Sequence, residues 1–345
     1  MDTIKKVKLG SQGLVIPMEG LGCMGMTGIV GNDMYGPVNE NEAISTIHRG
    51  LELGMNFLDT ADLYGPLLNE RLVGKGIKGN RDKYIVATKF GWEIDDNDQI
   101  TWQINGKPEY VKKAIDRSLK NLGVDYVDLY YLHRVDPNTP IEETVGAMAE
   151  LVKSGKVRYI GLSEASAETV RRAHNIHPIT ALQSEYSLFE REIETLGIFE
   201  TLKELGIGFV SYSPIGRGFL SGEIKSPDDF SPTDTRRALP RFIGDAFYKN
   251  LELVEEINKM ALEKGVTSTQ LALAWLFSKG VVPIPGTKRR KYLEENIKAS
   301  EIVLAQTEIE RLESIVPLGS VTGGRYDDSG MAVSYTHLRA HETVL

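Results

Sequence analysis

The sequence predicts an α/β fold, a (β/α)8 TIM barrel with an amino-terminal β-hairpin as a lid. Two observations carry this. Eight short apolar runs rich in Val, Ile and Tyr recur along the 345 residues, and segments of helical period lie between them. Near-continuous apolar runs suit strands covered on both faces, as in a parallel sheet. Eight strand–helix units with right-handed crossovers close naturally into a barrel with the helices outside. An open doubly wound sheet is the rival architecture, but no G-x-G-x-x-G follows the first run and eight units exceed its usual need.

The opening KVKLGSQGLVIP (6–17) alternates polar and apolar residues about Ser11-Gln12-Gly13, which reads as the hairpin, placed over the amino-terminal end of the barrel. The eight strand runs are 18–24, 56–61, 84–90, 125–133, 157–163, 179–186, 207–214 and 281–286. Between the first two, residues 39–54 put Ala43, Ile44, Ile47 and Leu51 on one face, with Asn39 and Glu42 as a capping box and Gly54 as the stop. Residues 139–155 repeat that grammar, with Thr139 as cap, Pro140 at the first helical position and Glu142 three residues on. Arg217 to Tyr248, rich in Ser, Pro and Asp, reads as one long loop, a kind of segment that is usually functional or disordered. One barrel domain thus covers residues 1–332.

Lys and Arg number 40 against 48 Asp and Glu, a formal charge of −8, which argues against a polyanion-binding surface and hence against nucleic acid as a partner. The single cysteine, Cys23, cannot form an intrachain bridge and fits a reducing, cytoplasmic setting. The first residues lack the apolar core of a secretory signal, and no apolar stretch approaches the roughly 20 residues that span a bilayer. A soluble protein with no membrane partner is the expectation.

In a barrel, residues at the carboxyl ends of the strands face the active site. Asp59 ends the second run, Lys89 the third and His133 the fourth, and Tyr64 follows Asp59 in the same loop. Asp59, Lys89 and His133 each have an ordinary structural reading alone: a turn cap, a lysine reaching out from a strand end, a satisfied core histidine. Together with Tyr64 they suit proton donation to a carbonyl oxygen. A phenol is a weak acid at neutral pH, and an adjacent Lys89 ammonium is expected to lower its pKa. Asp59 supplies the counter-charge for Lys89, and a neutral His133 imidazole donates one hydrogen bond that orients the substrate. No side chain can donate a hydride, so a nicotinamide cofactor is required.

At this point GLGCMGM (20–26), NFLDTADLYG (56–65), ATKFG (87–91), YLHRVDP (131–137), RYIGLSE (158–164), QSEYS (183–187), SYSPIGRGFLSG (211–222) and PIPGTKRRKYLEEN (283–296) resemble the aldo-keto reductases in order and spacing, most closely their bacterial and plant NADPH-dependent members. The resemblance runs from about residue 4 to 332. It implies Tyr64 as general acid, Lys89 and Asp59 as its tuning pair and His133 as orienting group. It places Ser163, Glu164 and Gln183 at the nicotinamide carboxamide and Tyr212 under the ring, although many members have Asn where Glu164 stands. Ser213, Pro214, Ile215, Gly216 and Arg217 would pass the pyrophosphate, and Glu295 and Asn296 would lie near the adenine. Gly22, Met24, Asp59, Gly286, Thr287 and Tyr292 complete the implied NADP(H) site.

After the eighth run, Gly286-Thr287-Lys288-Arg289-Arg290 leads into a predicted helix, and a helix amino terminus with cationic side chains makes an anion site. Lys288 and Arg290 are the candidates to grip the 2′-phosphate of NADP(H). On the substrate side, Trp92, with Met24, Met26, Tyr35 and Phe219, could form an apolar mouth suited to a small-molecule aldehyde or ketone beside Tyr64 and His133. No metal is expected: His337 and His341 have i, i+4 spacing but no accompanying Glu or third ligand. Residues 333–345 depart from the pattern and are expected to be a disordered tail. Two other functions stay open: a barrel lyase with Lys89 as Schiff-base nucleophile, and a cofactor-binding regulatory subunit that turns over slowly. The sequence leaves the oligomeric state open.

Overall fold

The structure, a computed structural model, describes residues 4–28 and 35–332. The tail expected at 333–345 lies outside them. The hairpin forms from β1 (Lys6–Lys8) and β2 (Val15–Pro17), paired antiparallel with Val7 opposite Ile16. Its alternation sends Leu9, Leu14 and Ile16 inward onto Phe57, Ala87, Leu129, Ala181 and Val210 at the base of the barrel. The Ser11 N–H donates to Gly206 O (2.8 Å), which fastens the lid where the sequence put it.

The barrel wall then proceeds as repeated strand and helix. β3 (Leu21–Gly22) leads to α1 (Glu40–Glu52), and β4 (Phe57–Asp59) to α2 (Leu68–Ile77). β5 (Ile85–Phe90) is followed by an inserted hairpin of β6 (Trp92–Ile94) and β7 (Ile100–Ile104) before α3 (Pro108–Leu122). Next come β8 (Val127–Leu132) and α4 (Ile141–Lys153), β9 (Val157–Ser163) and α5 (Ala167–Ile176), then β10 (Ala181–Glu185) and α6 (Ile198–Leu205). β11 (Gly208–Tyr212) connects through a long excursion to α7 (Gly244–Lys264) and α8 (Ser268–Ser278), and β12 (Val282–Pro283) to α9 (Arg290–Lys298). Helices α10 (Gln306–Ile315) and α11 (Asp328–Ala332) finish the described chain. Eight parallel strands order as β12-β11-β10-β9-β8-β5-β4-β3. A Gly22–Gly286 bridge and the Gly20 N–H to Pro283 O bond (3.0 Å) close β3 onto β12. All eight predicted runs are strands of this barrel.

Although the runs look uniformly apolar, their side chains alternate in destination. Val86, Phe90, Tyr130, Leu132, Ile160, Leu162 and Leu182 pack with the helices, whereas Phe57, Ala87, Leu129, Tyr131, Ala181 and Val210 fill the interior. Continued upward by twos, the interior row reaches Asp59, Lys89, His133, Ser163, Gln183 and Tyr212. Strand period alone therefore gathers six polar or aromatic groups at one rim. Gly161 belongs to this packing, because a Cβ there would sit 2.5 Å from the Tyr131 ring.

Three local expectations need correction. Asn39 caps α1 by accepting from Glu42 N–H (3.1 Å), but the Glu42 carboxylate turns to Arg290 rather than back to the cap. Thr139 does not cap α4, since its hydroxyl donates to Asp136 (2.8 Å) and Pro140 occupies the cap position. The loop expected through Tyr248 ends at Ile243, where α7 begins, and before that it holds short 3-10 turns at 216–221, 227–229, 235–238 and 240–242. Asp234 caps the Thr235–Ala238 turn and pairs with Arg236 (2.7 Å), so this segment is ordered by its own polar side chains.

Candidate active site

The carboxyl-end rim opens into a cavity of about 970 Å³. Lys89 lies wholly buried beneath Asp59 and Tyr64, which line it. Its ammonium donates to the Asp59 carboxylate, to Thr60 O (2.9 Å) and to the Tyr64 hydroxyl (3.2 Å). Burial alone would lower the Lys89 pKa, but Asp59 and Tyr64 reverse that and hold it above its ordinary value. The amine is thus kept cationic, the opposite of what a Schiff-base nucleophile needs.

Tyr64 is placed by its loop. Its carbonyl accepts from Asn69 N–H (3.1 Å), and the Asn69 side chain in turn bonds Thr60, Cys23 O and Thr27. The His133 ring lies edge-on to Tyr64, with centroids 6.0 Å apart. Burial, then the positive charges of Arg134 and Lys89, push the His133 pKa well below its ordinary value, so the imidazole is neutral as expected. The phenol departs from expectation. Burial raises the Tyr64 pKa and the Lys89 ammonium opposes this without cancelling it, because removing an anion from water costs more here than one shared cation returns.

A second acidic group lies behind the Tyr64 loop. Asp62 is fully buried and 3.3 Å from Arg117, yet burial and the neighbouring Glu70 push its pKa up to about 8. The folded carboxyl keeps its proton to that pH, whereas the unfolded one releases it near the ordinary 3.8. Between these values the native state binds the extra proton, so Asp62 makes stability fall as pH rises, by at most about 1.4 kcal/mol per unit. Asp62→Asn is expected to flatten the stability profile across that window, as read from urea midpoints at several pH values.

The structure brings most of the predicted cofactor set to one cavity: Gly22, Met24, Asp59, Ser163, Gln183 and Tyr212 on the strand ends, Ser213, Pro214, Ile215 and Arg217 on the following turn, and Gly286, Thr287, Lys288, Tyr292, Glu295 and Asn296 on the far side. Gln183 also donates to Asp59 (2.8 Å), which ties it to the lysine pair.

Three of that set face elsewhere. Glu164 adopts a left-handed φ of 55° just past β9, which swings its carboxylate out of the cavity to pair with Arg325 (2.6 Å) and accept from Glu185 N–H (2.9 Å). Gly216 is buried beneath the turn, outside the cavity lining. Arg290 turns from the cavity to Glu42 (2.9 Å), and Arg289, one residue earlier, lines the cavity instead. Lys288 also lines it while donating to the carbonyls of Tyr35 and Gly36.

On the substrate side Trp92 packs with Met24 and Ile100 against Ala61, Leu63 and Tyr64. Tyr35 lines the cavity, but Met26 and Phe219 are core residues outside it. Trp102, not anticipated, meets Trp92 edge-on at 6.0 Å from the β6–β7 hairpin. Tyr326 was also missed. Arg325 anchors its segment, its ring lies on the Arg217 guanidinium (4.4 Å) and its hydroxyl contacts that of Tyr212 (3.2 Å). Glu223 reaches across to Tyr292 (3.3 Å), so the excursion after β11 also borders the cavity. Cys23 is buried and its thiol is pushed up by burial, which makes it inert. Among the described residues no cluster of three or more metal-ligating side chains occurs, and no helix is long and apolar enough to cross a membrane.

A parallel barrel with a buried lysine–carboxylate pair against a phenol at its carboxyl end defines a class of oxidoreductase, and comparison with known proteins agrees. The Aldo/keto reductase family profile matches residues 20–317, and the chain belongs to that family. It is 48% identical over 327 residues to a probable aldo-keto reductase 1 of Glycine max, covering 94% of this chain and 92% of that one. It is 44% identical to the aldo-keto reductase yakc of Schizosaccharomyces pombe, whose name carries NADP(+), with 92% and 93% covered. Among solved structures, the glycerol dehydrogenase AKR11B4 of Gluconobacter oxydans superposes with a TM-score of 0.80 at 26% identity, covering 90% of this chain and 94% of the other. The holo form of AKR11C1 from Bacillus halodurans gives 0.75 at 29%, covering 91% and 96%.

Proposed function

We propose that this protein reduces small-molecule aldehydes or ketones to alcohols with NADPH, reversibly, with Tyr64 as general acid and residues up to 332 acting as one catalytic unit. The observation that carries the reading is the contact of the Lys89 ammonium with both Asp59 and the Tyr64 hydroxyl at the floor of the cavity. The cavity fits a dinucleotide in size and in donors. It has room for more than a small substrate, a hydroxyl at Ser163, an aromatic face at Tyr212, and Arg289 at the start of α9.

Bound reduced nicotinamide supplies the hydride. Tyr64 donates its proton to the carbonyl oxygen as that oxygen gains charge, and Lys89, held cationic by Asp59, stabilises the phenolate left behind. Neutral His133 orients the oxygen. Trp92, Trp102 and Leu63 shelter the carbon from water. Lys288 and Arg289 face the end of the cavity where the phosphates belong, and Arg289 replaces Arg290 as the grip on the 2′-phosphate.

NADPH consumption with a panel of aldehydes tests the reaction. Turnover supports it, and tight NADPH binding with no turnover on any carbonyl supports a sensor instead. Arg289→Ala is expected to weaken NADPH binding about ten-fold, roughly the 1.4 kcal/mol of one charge-assisted hydrogen bond, with a much smaller change for NADH. Fluorescence titration of both nucleotides reads the difference, and equal losses for the two would remove Arg289 from the 2′-phosphate.

A further inference from the structure

Arg134 follows the catalytic histidine, and its guanidinium in the cavity wall makes no ion pair of its own: the Glu164 carboxylate that acts on it from a distance is held by Arg325. It is 7% exposed and lines the same cavity as Tyr64, His133 and Ser163. Nη1 donates to His133 O (2.7 Å) and reaches Ser163 Oγ at 3.5 Å, while Nε is buried without a partner. Other arginines turned inward each hold a carboxylate: the partly buried Arg217 with Glu185 (3.3 Å) and Arg236 with Asp234 (2.7 Å), and the buried Arg325 with Glu164 (2.6 Å). Arg134 has none within salt-bridge distance among the described residues. A buried charge with no ion-pair partner in direct contact is costly, and a planar guanidinium matches a carboxylate in a two-point fork.

We propose that Arg134 binds a carboxylate on the substrate, so that the preferred substrates are aldehydes or ketones bearing a carboxylate group. This rests on the reductase reading above. The bond to His133 O and the approach to Ser163 Oγ place Arg134 at the strand-end rim beside His133 rather than at the phosphate end of the cavity, where Lys288 and Arg289 lie. Hydride transfer beside Tyr64 requires the uncharged nicotinamide there, so the cofactor offers this cation no anion. The reaction is otherwise the same. Hydride from the reduced nicotinamide forms the new C–H bond, the carbonyl π pair takes the Tyr64 proton, solvent returns a proton to Tyr64, and the carboxylate leaves unchanged.

The test compares kcat/KM for ortho, meta and para carboxybenzaldehyde with their methyl esters, in the wild type, Arg134→Lys and Arg134→Met. At least one acid is expected to exceed its ester by about ten-fold or more in the wild type. That ratio should fall toward one in Arg134→Met and stay partway in Arg134→Lys. Calorimetric titration with para-(hydroxymethyl)benzoate and its methyl ester gives a readout free of turnover, and the acid should lose affinity selectively in Arg134→Met. Ratios near one for all three pairs in the wild type overturn the proposal. So does a preference that survives Arg134→Met, or an equal loss of NADPH affinity in that variant. Absence of turnover with every compound defeats the reductase reading instead, and the calorimetry still decides the role of Arg134.

Discussion

Tyr64→Phe is expected to lower kcat for carbonyl reduction roughly 10²–10⁴-fold, the range that a positioned acid contributes, while NADPH still binds. The phenol hydroxyl receives the Lys89 hydrogen bond and edges the His133 ring, so the substitution removes one oxygen and keeps the packing of the ring. Because burial holds the phenol above its ordinary pKa, the wild type should keep a flat rate through neutral pH and lose rate only in the alkaline range, as the acid form is depleted. His133, already neutral, should add no limb near its ordinary 6.5. Initial rates of NADPH oxidation across pH read both effects. A Phe variant within three-fold of wild type would remove Tyr64 from the chemistry.

Lys89→Met is expected to be the most destabilising single change in the site, by about 3–5 kcal/mol, because it strands the Asp59 carboxylate in the barrel interior. Both partners are buried and paired, and Gln183 supplies the only other side-chain bond to Asp59 among the described residues. The double variant Asp59→Asn/Lys89→Met removes both charges together. It should recover much of the stability yet remain inactive, since nothing then supports a phenolate on Tyr64. Denaturant midpoints of the three variants measure the pattern. A double variant no more stable than Lys89→Met would mean that steric fit, rather than the stranded charge, dominates the loss.

The barrel and its reactive floor were legible because both follow from short-range rules. Apolar runs mark strands, strand period sends alternate residues inward, and the last inward residue of β4, β5 and β8 is Asp59, Lys89 or, one step beyond β8, His133. What escaped depends on single-residue phase or on distant partners. Arg289 and Arg290 are chemically alike in the sequence, and only Glu42, 248 residues away, draws the second of them from the cavity. The resemblance puts Glu164 beside Ser163 at the carboxamide, but a left-handed turn and Arg325, 161 residues on, draw its carboxylate away. The β6–β7 hairpin carries so many acidic and amide residues that it lacks an apolar period. Arg134 offered one usable signal, a charged residue immediately after a residue of the active-site rim, and it was passed over as part of a motif.

The two ends of the described chain lie at opposite poles of the barrel. The hairpin plugs the base, whereas the segment anchored by Arg325 rests on Tyr212 and Arg217 at the cavity mouth. Immobilising the protein on a resin or electrode through the Ser11–Gln12 turn of the hairpin therefore leaves the route for nucleotide and carbonyl compound open, whereas coupling through the segment around Tyr326 crowds that entrance.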